Sequence, residues 1–82
     1  MEKIRLEELQ ALVKAVDYHK FPDSTHTVCC LYLTNGFTVI GESACLNPDD
    51  FDRDIGEGIA YENAVEKLWQ LEGYARKSME TV

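Results

Sequence analysis

The side chains best suited to nucleophilic or metal chemistry are the cysteines and histidines between residues 19 and 45. Cys29 and Cys30 are adjacent in a predicted strand, so they point to opposite faces and do not readily share one metal ion. His26 and Cys29 have a ligand-like spacing, but no second pair completes a tetrahedral site. An odd number of cysteines also argues against a disulfide framework. We therefore expect no metal site and no cofactor. The cysteines and histidines considered for such a site are Cys29, Cys30, Cys45, His19 and His26.

A run of carboxylates occupies the middle of the chain, from Asp49 to Asp54. A calcium loop would need a glycine turn and a glutamate in register after this run, and neither Glu57 nor Glu62 supplies it. The sequence also has no nucleophile motif and no glycine-rich phosphate loop. We interpret the run as the solvated start of a helix, and we do not expect an enzyme.

The net charge of -7 is unevenly distributed. Residues 1–20 carry four acids and four bases, whereas residues 21–82 carry eleven acids and four bases. An acidic chain repels DNA, RNA and anionic membranes, so these partners are disfavoured. No apolar run approaches the roughly 20 residues that span a bilayer, and the N-terminus does not resemble a signal peptide. We expect an intracellular protein. An acidic surface that docks a basic host protein stays open as an alternative.

The hydrophobic pattern predicts a single α+β domain over residues 1–82, with the order α-β-β-α. Leucines and valines between Leu6 and Val16 have helical spacing, which predicts a first helix over 2–18. A β-hairpin is predicted over 26–42. Asn47, Pro48 and the acids that follow favour a second helix over 48–72, since they suit a cap and the positive end of the helix dipole. Residues 73–82 are predicted to be a tail.

The predicted hairpin turns at Asn35-Gly36, a pair typical of two-residue type I′ turns. That turn would place Leu31 opposite Ile40 and would make both faces of the hairpin apolar. Two helices can cover one face of such a hairpin but not readily both. The second face should therefore meet another strand, another subunit or a ligand, and we expect oligomerisation to complete the domain.

The segments NGFTVIGESACLNPDDFDRDIG and IAYENAVEKLWQLEGY, within residues 35–74, carry a family resemblance. The chain resembles the small tailed-phage protein family that is named after gene 49 of one podophage and gene 66 of another. Relatives commonly have a proline where this chain has Gln70. They also have more basic residues where it has Glu57 and Gly58, and this departure removes positive charge that could serve an anionic ligand.

More distantly, the chain resembles the first anti-Thoeris phage proteins. These proteins act as sponges for cyclic ADP-ribose isomers, some also hold cyclic oligonucleotides, and they assemble as dimers and hexamers. The resemblance implies a Thoeris inhibitor in the host cytoplasm that sequesters a bacterial immune messenger without cleaving it. The alternative is an acidic phage protein that binds and inhibits a host protein.

Sequestration of such a messenger would need a stacking ring, polar groups for ribose and donors for phosphate. Phe37 is the candidate stacking ring, although it could equally pack in a core or an interface. Asn47 is a candidate contact for ribose or phosphate, with a plain helix cap as the alternative. Asn63 is a candidate ligand contact, with a satisfied core or interface asparagine as the alternative. Lys67 and Arg76 are candidate phosphate ligands, against ordinary surface ion pairs.

Overall fold

The computed structural model describes residues 3–80 and has an α-β-β-β-α order. The three strands form one antiparallel sheet in the order β1-β2-β3. The long helix α2 packs against one face of this sheet, over β2 and β3. The α+β class is therefore confirmed, with one strand more than the sequence predicted. The elements are α1 Leu6–Ala11, β1 Val13–Lys20, β2 Thr27–Leu33, β3 Thr38–Ser43, a 3₁₀ turn Pro48–Asp50 and α2 Arg53–Glu80.

The predicted first helix over 2–18 is wrong beyond Ala11, because the chain continues as strand β1. Residue 2 lies outside the described residues. A β-bulge between Val13 and Ala15 explains why the spacing of β1 resembles that of a helix, because the bulge shifts the register of β1 against β2. Val13 and Val16 thus pair with residues of the same sheet face although they are three positions apart. A bulged strand of this kind imitates helical spacing.

The hairpin turn between β2 and β3 has three residues instead of the predicted two. The Leu33 N–H donates to the Phe37 carbonyl at 2.8 Å, which leaves residues 34–36 as the loop. Gly36 has φ +92°, the left-handed conformation that three-residue hairpin loops require. Leu31 therefore lies opposite Val39 instead of Ile40. Val39 is buried in consequence, and Ile40 lies on the other face of the sheet.

The core lies between α2 and the sheet, and most of the buried apolar residues that the strands contribute come from β2. Gly41 brings β3 into direct contact with α2, since a Cβ at this position would meet the backbone of Ala60 and Ala64. β1 is not covered by α2 to the same extent, so Val16 is 40% and Tyr18 36% exposed on the helix side. The buried apolar residues are Ile4, Leu9, Cys29, Leu31, Leu33, Val39, Ala60, Ala64, Val65 and Leu68.

Helix α2 differs from its prediction at both ends. Pro48–Asp50 form a separate 3₁₀ turn, and α2 begins after Asp52, whose carboxylate accepts the N–H groups of Asp54 and Ile55. At the other end, the predicted tail is wrong for residues 73–80, because the helix continues to Glu80. Residues 81 and 82 lie outside the described residues. α2 spans about 42 Å, so its last turns extend beyond the strands and pack against α1.

The sheet face opposite α2 is open. Ala15, Val28, Tyr32 and Ile40 lie on it, and Tyr32 and Ile40 are each 41% exposed. No element among residues 3–80 covers this face, so its covering by a ligand or a second copy stays a prediction. Within the same residues, no helix is long and apolar enough to cross a membrane.

Candidate functional site

Phe37 lines a cleft of about 280 Å³ between the hairpin turn and the second half of α2. Phe37 is 58% exposed, so it is available to a ligand. The walls are largely apolar, with Leu68 and Leu71 from α2, and the charged residue among them is Glu72. A planar apolar group suits this cleft better than a phosphate does, because the Glu72 carboxylate repels anions.

The two candidate asparagines already have backbone partners. The Asn47 side chain accepts the Asp49 N–H at 3.0 Å and so caps the 3₁₀ turn. The Asn63 amide donates to the Glu42 carbonyl at 2.8 Å and so ties α2 to strand β3. Both contacts correspond to the structural alternatives for these residues and require no ligand.

The two candidate cations do not converge on Phe37. Arg76 forms ion pairs with Glu8 of α1 and Glu72 of α2, each at 3.4 Å. Lys67 forms no hydrogen bond or ion pair with residues 3–80, and it lies one helical turn before Leu71. Of the five residues that the sequence singled out, only Phe37 lines the cleft.

A second cavity, of about 160 Å³, lies where β1, β2 and the start of α2 meet. It brings together two cations, two aromatic rings, a hydroxyl and a carboxylate. We call it the Lys20–Arg53 pocket. Its lining residues are Tyr18, Lys20, Thr27, Phe51, Arg53 and Glu57.

The cations of this pocket are held by neighbouring groups. The Lys20 ammonium donates to the Ser24 carbonyl at 2.9 Å and lies 5.7 Å from the centre of the Phe51 ring. The Arg53 Nε donates to the Glu57 carboxylate at 3.2 Å. No hydrogen bond or ion pair within residues 3–80 engages the terminal guanidinium nitrogens of Arg53, so they can bind an anion.

The Thr27 hydroxyl is the one buried side-chain polar atom without a partner among the described residues. The residue is 2% exposed and lines the pocket. An unmade hydrogen bond of a buried polar group costs about 1–3 kcal/mol. A polar occupant of the pocket would remove this cost.

Two groups at this pocket stay uncharged: the hydroxyl of Tyr18, which lines it, and the thiol of Cys29, which lies in the core behind it. Burial raises the pKa of the Tyr18 hydroxyl, and it raises the pKa of the Cys29 thiol beside it to about 11. Both groups therefore stay protonated near neutral pH. The Cys29 thiol is accordingly a poor nucleophile, and the Tyr18 hydroxyl is a hydrogen-bond donor.

Sequence reasoning missed this pocket because it placed Tyr18 in a helix and Lys20 in a loop. Val16, Tyr18 and Lys20 alternate along one side of β1. This period of two could have indicated a strand, and it would have predicted that Lys20 belongs to the sheet.

One comparison with known proteins gave a match. A family model described as "Phage protein (N4 Gp49/phage Sf6 gene 66) family" matches residues 4–79. The match covers nearly the whole chain and confirms the family resemblance. No curated protein and no solved structure matches.

Proposed function

Because the chain belongs to the phage protein family of N4 Gp49 and Sf6 gene 66, we propose that it acts against host defence. In this proposal it sequesters a nucleotide messenger of bacterial immunity in the host cytoplasm and does not cleave it. The messenger is a cyclic ADP-ribose isomer or a cyclic oligonucleotide. The observation that carries the proposal is the Lys20–Arg53 pocket, where cations and aromatic rings converge on an otherwise acidic chain.

The lining of the pocket suits the parts of such a messenger. The ammonium of Lys20 and the guanidinium of Arg53 bind phosphate oxygens through charge-assisted hydrogen bonds. The hydroxyl of Thr27 donates to a further oxygen, and the Phe51 ring offers a stacking surface for a base. The Glu57 carboxylate opposes phosphate but accepts hydrogen bonds from ribose hydroxyls.

The size of the pocket limits what one copy of the chain can hold. Its volume of about 160 Å³ equals the volume that about five water molecules occupy in liquid water. Small-molecule sites usually measure about 300–1,000 Å³. A single pocket thus accommodates a phosphate with part of a ribose, and a second copy of the chain is needed to enclose the rest. This requirement agrees with the expectation of a homo-oligomer.

Calorimetry with purified protein tests the proposal. Cyclic ADP-ribose isomers and cyclic di- and trinucleotides are titrated into the wild type and into a Lys20→Ala/Arg53→Ala variant. We expect the variant to lose affinity by about 100-fold, because two charge-assisted phosphate contacts are removed. The matched control Lys3→Ala/Lys77→Ala removes the same charge elsewhere and should bind as the wild type does.

Two results would contradict the proposal. One is the absence of heat with every nucleotide; the other is equal binding by the pocket variant and the control. Sequestration also requires that denaturation of the loaded protein releases the nucleotide intact. Mass spectrometry of the released molecule distinguishes this from hydrolysis.

The open sheet face favours a second candidate function, the binding and inhibition of a host protein. Tyr32 and Ile40 are exposed there beside the carboxylates of Asp17 and Glu42, an arrangement that suits a basic partner with an apolar centre. Pull-down from host lysate with the wild type and with Tyr32→Glu tests it. A specific partner should be lost with the variant and weakened above roughly 0.5 M salt. Capture that is insensitive to both would contradict this alternative.

A further inference from the structure

The two edges of the sheet differ in what their outward backbone groups bind. At the β3 edge, the Asn63 amide occupies the Glu42 carbonyl at 2.8 Å, whereas the outward backbone groups of Thr38 and Ile40 have no partner among the described residues. At the β1 edge, one hydrogen bond shows which backbone groups point toward β2. The Phe21 N–H donates to the His26 carbonyl, and in an antiparallel pair every second residue directs its N–H and C=O groups to the partner strand, so His19, Asp17 and Ala15 do so as well. The backbone groups of Val16, Tyr18 and Lys20 therefore point away from β2.

No residue of the described chain binds these outward groups of β1. The strand is eight residues long, and its side chains on the helix side, Val16 and Tyr18, are 40% and 36% exposed. A long edge strand with unpaired N–H and C=O groups is a template for another strand. The edge thus offers both unmade hydrogen bonds and apolar surface to an incoming strand.

We propose that β1 pairs antiparallel with the β1 strand of a second copy, about a two-fold axis at Tyr18. In a two-fold pair each residue meets a partner on the same sheet face, which limits the possible registers. With Tyr18 on the axis, Asp17 lies opposite His19 of the second copy, and the same contact recurs on the other side of the axis. His19 donates a hydrogen bond to the Asp17 carboxylate whether or not the imidazole is charged.

The neighbouring registers lack this complementarity. An axis at Asp17 places two Asp17 carboxylates directly opposite each other and brings Lys14 against Lys20. An axis at Val16 places Asp17 opposite Ala15 and forms no pair of opposite charges. Like charges opposite each other destabilise a strand pair, whereas opposite charges stabilise it. The charges of β1 therefore select the register with Tyr18 on the axis.

This arrangement deepens the proposed function, and it rests on the association of two copies that the function requires. Each Lys20 lies two residues from the axis, so the two ammonium groups belong to positions about 13 Å apart along the paired strands. Both Lys20–Arg53 pockets then open on the same side of one continuous sheet. The pair suits a ligand with two separated anionic groups, such as a cyclic dinucleotide or a pyrophosphate-linked dinucleoside.

Light scattering of the protein without nucleotide is the first test. We expect the wild type to be a dimer at about 100 µM. His19→Asp places carboxylates opposite each other and should weaken the dimer at least about tenfold. The double variant Asp17→His/His19→Asp restores the pairs in reverse and should recover the dimer. Thr38→Asp, on the β3 edge, is the matched control and should remain dimeric.

Cross-linking tests the register. Hydrogen-bonded antiparallel pairs have Cα atoms about 5.5 Å apart, within disulfide range. In a Cys30→Ser/Cys45→Ser background, Val16→Cys mixed with Lys20→Cys should give a disulfide-linked heterodimer. Each variant alone should cross-link poorly, since Val16 lies opposite Lys20 and not opposite itself.

The outcomes separate this inference from the proposed function. A monomeric wild type, or a dimer broken by Thr38→Asp and indifferent to His19→Asp, overturns the pairing of β1, whatever the calorimetry gives. A dimer with the expected variant behaviour but no heat from any nucleotide supports the pairing and contradicts the messenger. Cross-linking of Val16→Cys with itself overturns the Tyr18 axis.

Discussion

Glu8 illustrates how single polar side chains hold the two ends of this chain together. Its carboxylate accepts the Arg5 N–H at 2.9 Å and so caps α1, and it also pairs with Arg76 near the end of α2. The Arg5 N–H lowers the pKa of Glu8 most, burial partly opposes this effect, and Arg76 lowers the pKa further. The charged form of Glu8 therefore belongs to the folded state.

Replacing Glu8 by Gln should reduce stability at neutral pH and have little effect in acid. The folded-state pKa of Glu8 is below its unfolded value, so the contribution is present above about pH 4.5 and is lost as the pH falls through the folded value. Urea unfolding of the wild type and Glu8→Gln at about pH 7 and about pH 3 measures the difference. An equal difference at both pH values would contradict the role of the carboxylate charge.

At the scale of elements, the sequence predicted the hairpin and the position of the second helix better than it predicted β1. Asn35-Gly36 indicates a turn whether the loop has two or three residues. The loop has three residues because this length places Val39, and not Ile40, on the buried face of β3. β1 was mistaken for helix because its bulge spaces Val13 and Val16 as a helix would. The Gly41 contact could not be predicted, since it depends on how closely α2 crosses β3.

Gly41→Ala and Gly58→Ala should change stability in opposite directions. At Gly41 a Cβ meets the helix backbone at Ala60 and Ala64, which cannot rotate away, so the substitution should cost about 3 kcal/mol or more. At Gly58, within α2, a Cβ meets nothing within 4 Å, and alanine should stabilise the helix by about 1 kcal/mol. Thermal unfolding followed by circular dichroism compares the two. Similar effects of both would contradict the packing of α2 on β3.

At the scale of the whole molecule, the candidate site depends on long-range pairing that a single sequence does not reveal. Lys20 and Arg53 are far apart along the chain and meet only because β1 pairs with β2 beside the start of α2. Asn47, Asn63 and Arg76 were predicted as alternatives between ligand and structural roles, and their observed partners are backbone groups and carboxylates. Residue types alone could not decide between these roles.

The proposed association through β1 would make the thermal stability depend on protein concentration. Each tenfold increase in concentration stabilises a dimer by about 1.4 kcal/mol. For about 160 residues in the pair, this should raise the melting temperature by roughly 3–5 °C. Differential scanning fluorimetry over a hundredfold concentration range measures the shift. His19→Asp should show a smaller dependence, and a wild-type melting temperature that is independent of concentration would contradict association.

The Asn63 amide on the Glu42 carbonyl has a consequence for growth of the assembly. A sheet that offers both edges equally can add copies without limit and form a fibre, whereas a partly blocked edge makes each further addition less favourable. In the proposed dimer, the side chain that joins α2 to β3 takes up one outward carbonyl at each remaining edge and so disfavours the addition of further copies there. A high concentration of the protein should then favour dimers over filaments.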